Sequence, residues 1–199
     1  MGVGSKDLAT REGALGFLES TKSSVLGLHA RAGVVRPHVI LFADRDPNGE
    51  PCLDEDGRRM TGAYFYFPDT LAGGDERDAF SAVIRELLVL THACGVMTVM
   101  ESWVACGKLT PDAPTPERAR ARLPKDWSAP FAGRREGIVI LLEHIALEHP
   151  VEQWAETERA ASGKAYFKPF VDMASSLGID GNRAQRKGRF VDLLRRSAS

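Results

Sequence analysis

At 199 residues, with 43% hydrophobic and 27% charged side chains, the chain has the size and balance of one globular domain. Its 26 basic and 27 acidic side chains leave a net charge of -1, so no global field selects nucleic acid or membrane as a partner. The longest apolar run, Gly137–Leu142, is too short to span a bilayer, and Met1–Thr10 lacks the apolar core of a signal peptide. A cytoplasmic chain without a membrane partner is therefore expected.

Residues 1–8 read as a flexible leader and 9–199 as a single α+β domain. Leu15, Leu18, Val25 and Leu28 recur near helical spacing and predict a helix over 10–32 ended by Gly33. Gly16, Gly27 and the Ser23-Ser24 pair weaken it. The β-branched run Val34–Ala43 predicts a strand, and Asp44-Arg45-Asp46-Pro47-Asn48-Gly49 is concentrated turn chemistry. Met60–Phe67, with Tyr64, Phe65, Tyr66 and Phe67, returns as the hairpin partner. The next helix spans 76–94. Asp75 serves as its N-cap, Phe80, Val83, Ile84, Leu87, Leu88 and Thr91 form one apolar face, and Gly95 is the expected left-handed terminator.

Residues 97–104 then read as a strand, and 107–133, with Pro111, Pro114, Pro116, Pro124 and Pro130, as a long proline-rich loop. A strand over 136–145, a hairpin from 151–159 and 164–171, and a short helix over 190–194 complete the chain. No internal repeat is evident. The fold expected is α+β: a mainly antiparallel sheet of about five to six strands, the 76–94 helix packed on a face, and N-terminal and short C-terminal helices.

Within the 97–104 strand, Glu101 alternates onto one face with Met97, Val99 and Trp103. A carboxylate in that company needs a cation or a donor, and Arg134-Arg135-Glu136 is the expected supplier. Glu101, Trp103, Arg134 and Arg135 form the expected binding surface. Glu101, Glu136 and His144 are the candidate acid, base or ligand groups for an enzyme. Asp44, Asp46, Asn48, Gly49 and Glu55 match the calcium-loop pattern at every specified position, but strand-like flanks and Pro51 favour an acidic β-turn without metal.

No P-loop, G-x-G-x-x-G, G-x-S-x-G or C-x-x-C occurs, and no cofactor is expected. Cys52, Cys94 and Cys106 read as free thiols. Arg183, Arg186, Lys187 and Arg189, with Arg195 and Arg196, crowd the C-terminus, and Arg118, Arg120, Arg122 and Lys125 lie in the proline-rich loop. Together they offer a phosphate-tracking alternative.

Glu101-Ser102-Trp103, Arg134-Arg135-Glu136, Gly188-Arg189-Phe190 and Leu193-Leu194 resemble motifs of small bacterial and phage proteins. In those, an E-[AS]-W strand precedes a proline-rich loop and an R-x-E strand. The resemblance covers roughly residues 76–194. It implies the α+β fold and the pairing of the two motifs, and it implies no activity.

The leading expectation is a non-enzymatic, cytoplasmic binding or accessory protein of bacterial or phage origin, with a protein partner favoured. A hydrolase-like or metal-assisted enzyme using Glu101, Glu136 and His144 is the first alternative. A nucleic-acid accessory protein using the C-terminal arginines is the second.

Overall fold

A computed structural model describes residues 7–32, 35–68, 74–105, 134–159, 165–173 and 193–194. The loop expected over 107–133 and the basic residues at 118–125, 183–189 and 195–196 lie outside them, as do Cys106 and most of the leader.

The first helix, α1, runs unbroken over Arg11–Ala32. Thr10 caps it, its hydroxyl accepting from the Gly13 N–H at 3.1 Å. Gly16, Ser23 and Ser24 are exposed, so the weak helix formers fall on the wet side. The buried stripe is Ala14, Leu18, Thr21, Val25 and His29, at spacings of three and four. Leu28, expected on that stripe, stands 54% exposed.

Strand β1 (His38–Ala43) pairs antiparallel with β2 (Gly62–Tyr66), and the chain between them makes two similar turns. In the first, Asp46 Oδ1 accepts from the N–H groups of Asn48 at 2.8 Å and Glu50 at 2.9 Å. In the second, Asp54 Oδ1 accepts from Asp56 at 3.0 Å and Arg58 at 2.8 Å. Gly49 (φ 84) and Gly57 (φ 77) supply the left-handed residue of each. The segment thus holds an eight-residue repeat of D-x-[DN]-G, Asp46–Gly49 and Asp54–Gly57, where none was expected.

Helix α2 covers Gly74–Leu90, four residues shorter at its end than expected. His92, at φ 51, is the left-handed residue that turns the chain. Gly95 lies inside the following strand, β3 (Ala93–Ala105), for a different reason. A Cβ there would fall against the His144 ring and 2.7 Å from the Phe42 ring.

β3 pairs along its length with β4 (Arg134–His144), which pairs with β5 (Val151–Arg159). Two short strands, β6 (Ala165–Phe167) and β7 (Val171–Asp172), both pair with β5. The result is an antiparallel seven-stranded sheet of order β2-β1-β3-β4-β5-β6, in an α+β fold.

Val39 through Ala43 are all buried, the pattern of a strand covered on both faces. Ile40, Phe42, Met97, Val99, Ile138, Ile140 and Leu142 pack with Ala14, Leu18 and Val25 of α1. Val39, Leu41 and Val96 pack with Ile84 and Leu88 of α2 and with Leu193. Among the described residues, no helix is long and apolar enough to cross a membrane.

Candidate functional site

The β3–β4 register decides which of the expected site residues can meet. Glu101 lies opposite Ile138, Trp103 opposite Glu136, Val104 opposite Arg135 and Ala105 opposite Arg134. Trp103, Arg134 and Arg135 are placed by backbone register alone, the two arginines three and four positions beyond Glu101. Glu101 itself is exposed, and its Oε1 accepts from the backbone N–H of Val35 at 3.0 Å. That bond ties the segment leading into β1 across the end of β3. A backbone donor thus satisfies this oxygen of Glu101.

The enzyme triad does not gather. Glu136 and His144 are eight steps apart on β4, roughly 26 Å, and Glu101 sits six register steps from His144, roughly 20 Å. His144 is buried and already occupied. Its Nδ1 accepts from the Ala146 N–H at 3.1 Å, so Nε2–H donates to the Leu8 carbonyl at 3.0 Å. Burial holds its pKa below the ordinary histidine value, against the smaller raising effect of the Leu8 bond. A neutral ring with both nitrogens committed to backbone clasps α1's leading segment to the end of β4.

Its neighbour Glu143 was not singled out from the sequence. The side chain is 4% exposed, and its two oxygens accept from Leu193 and Leu194 N–H, each at 3.1 Å. One carboxylate thereby fixes the C-terminal helical residues on the α2 face of the sheet.

In the acidic loop, Asp46 is engaged by its own turn, with Asn48 Nδ2 donating to Oδ2 at 3.2 Å besides the two backbone donors. These bonds hold its carboxyl below the ordinary value, the Glu50 N–H contributing most. Glu55 belongs to the second turn and is exposed. Among the described residues, no three of His, Cys, Asp and Glu group closely enough to hold a metal ion. Cys52 and Cys94 are free thiols. Cys52 Sγ lies 2.6 Å from the Tyr64 hydroxyl, whose pKa rises through burial and then through that contact.

The feature that stands apart from these structural contacts is at the β1–β2 corner, on the face that carries α1. Phe65 lies opposite Ile40, so Phe65 and Phe67 alternate onto that face while Tyr64 and Tyr66 pack toward α2. Phe65 is 52% and Phe67 48% exposed, with ring planes 12° from parallel and centroids 6.4 Å apart. The His38 ring lies 5.2 Å from Phe67 and 6.3 Å from Phe65. The Arg36 guanidinium stands 5.5 Å from the Phe67 centroid. His38 Nδ1–H donates to the Arg36 carbonyl at 2.9 Å, and burial lowers its pKa, the carbonyl raising it less. The imidazole is thus oriented and neutral near pH 7, with Nε2 left as an acceptor.

Sequence reasoning read Tyr64–Phe67 only as a strand. The available signal was four consecutive aromatics at what proved to be the end of the sheet order, where both faces are hard to cover. Comparison of the chain with known protein families, with curated proteins and with solved structures finds no match.

Proposed function

We propose that this chain is a non-enzymatic, cytoplasmic binding protein whose working surface is the corner formed by Arg36, His38, Phe65 and Phe67. The observation that carries the reading is the continuous ring-and-cation surface itself. Two half-exposed, nearly parallel phenylalanine rings, a hydrogen-bonded imidazole and a guanidinium meet where β1 begins and β2 ends. Exposed large aromatics in a contiguous group mark contact surfaces far more often than single exposed apolar residues do. Of the groups that suggested catalysis, Glu101 accepts from the Val35 N–H, and His144, eight steps along β4 from Glu136, is bonded to the Leu8 carbonyl and the Ala146 N–H.

The test compares immobilised wild-type chain with the F65S/F67S variant as bait, identifying bound protein by mass spectrometry and bound nucleic acid by absorbance. Both rings are half exposed, so the variant is expected to melt within a few degrees of wild type. Material held by the wild type and lost from the variant is the expected result. Identical capture by both would move the working surface elsewhere and refute the proposal.

A further inference from the structure

We propose that the ligand of this corner is single-stranded nucleic acid, with unpaired bases stacking on Phe65 and Phe67; the inference rests on the corner being the binding surface. Three observations select this chemistry. The first is shape. Phe65 of β2 and Phe67 just past its end are successive same-face positions, their planes 12° from parallel and each ring about half exposed. Planar guests match flat rings, and sheet-borne aromatics receive unpaired bases in just this way.

The second is polarity. Arg36 provides a cation over the Phe67 ring, and neutral His38 provides an acceptor on an oriented ring. A chain of planar bases joined by phosphates complements both, since base faces meet the rings and a phosphate oxygen meets the guanidinium. Glu101, the carboxylate on this end of β3, is directed to the Val35 N–H and anchors the segment that carries Arg36.

The third is placement. The corner lies where β1 begins and β2 ends, and β3 and β4 run on past it. His38 is opposite Val99, while the β3–β4 ladder continues to Ala105 opposite Arg134. The backbone positions of Arg134 and Arg135 therefore lie six and five register steps beyond the His38 row, roughly 20 Å and 17 Å along the sheet, where an extended strand leaving the corner in that direction would pass. Duplex bases are buried in their own stack and cannot reach the rings, so the reading is specific to single strands.

The experiment is fluorescence anisotropy of full-length chain with labelled oligothymidylate and oligouridylate of about 12 nucleotides, a length typical of such sites. Wild type is expected to bind, more weakly as salt rises. F65L/F67L keeps apolar area but removes the rings, and should weaken binding at least about ten-fold, whereas F65Y/F67W should retain it. R36Q should lower the slope of log affinity against log salt by about 0.7, the loss of one phosphate contact on a single strand. Thermal melts matching wild type establish that each variant is folded.

No anisotropy change up to about 100 µM chain, the weak limit for non-specific binding, overturns the proposal, as does equal affinity of F65L/F67L and wild type. Capture of a protein lost in F65S/F67S, together with a null oligonucleotide result, overturns the nucleic-acid assignment while leaving the corner as a binding surface. A peptide adding to the edge of β2 would give that outcome.

Discussion

Glu143 offers the sharpest test of how the C-terminal residues are held. Its oxygens take one backbone N–H each, from Leu193 and Leu194, at equal lengths of 3.1 Å. Glu143→Gln keeps one acceptor and turns an NH2 group toward the other donor. A buried donor left unsatisfied costs about 1–3 kcal/mol, and the surviving bond loses its charge assistance, about 1 kcal/mol more. The expected destabilisation is about 2–4 kcal/mol, or a melting temperature lower by roughly 4–16 °C for a chain of this size.

Urea denaturation followed by circular dichroism measures it, with unchanged slope showing that the denatured state is the same. The decisive comparison is a chain ending at residue 192. There the two donors are absent, and Glu143→Gln should cost less than about 1 kcal/mol, because it no longer breaks those bonds. An equal cost in both backgrounds would show that Glu143 stabilises the fold through other partners and would refute the clasp.

Gly49→Ala and Gly57→Ala should each cost about 1–2 kcal/mol, since φ is 84 and 77 while a Cβ meets nothing within 4 Å; the matched turns predict matched and additive losses in urea midpoints. Glu101→Ala should cost no more than about 1.5 kcal/mol, the worth of one bond from an exposed carboxylate, and not the about 2–5 kcal/mol expected of a broken buried ion pair. A larger loss, abolished by Arg134→Ala, would restore the ion pair. His144 and His38 are held below the ordinary value of 6.5, so the unfolded chain binds more protons as pH falls through that value. Stability should therefore decline from pH 7 toward pH 5 and level off below the folded pKa values. His144→Gln should remove part of that slope, and an unchanged slope would contradict the buried, neutral ring.

What was legible in the sequence followed from period and from turn chemistry. The hairpin of β1 and β2, the body of α2 and the long β4 all showed in apolar spacing because each buries a regular face. Boundaries failed where one residue type serves two purposes. Gly95 looked like a helix terminator, but its missing side chain makes room for the His144 and Phe42 rings, and His92 turns the chain instead. Thr91 continued the apolar period past the end of α2, which extended the expected helix by four residues. Glu101 drew notice as a charge among apolar neighbours, yet a backbone N–H such as that of Val35 leaves no mark in sequence. Glu143 stayed hidden for the same reason. The repeat of D-x-[DN]-G was readable, and the calcium-loop match across Asp44–Glu55 drew attention away from it.

The Gly95–His144 end of the β3–β4 ladder and the β1–β2 corner differ in what their polar groups do, and that difference supports the assignment of roles. At the Gly95–His144 end, Glu143 and His144 are buried and their hydrogen bonds bind distant chain segments, Leu193-Leu194 and Leu8, to the sheet. Side chains so engaged are costly to move and poorly suited to meet a ligand. At the β1–β2 corner, on the rows of Met97 and Val99, α1 leaves the rings partly open: Phe17 reaches Phe42 at 5.2 Å and Phe65 only at 6.4 Å, and Phe67 receives Arg36 and His38 instead. An apolar ring that needed only burial would have been served by one more turn of helix across the corner. The chain places there a cation over the Phe67 ring and an imidazole beside both rings, which still leave each ring about half exposed, an arrangement that gains its value when a planar partner covers the remaining surface.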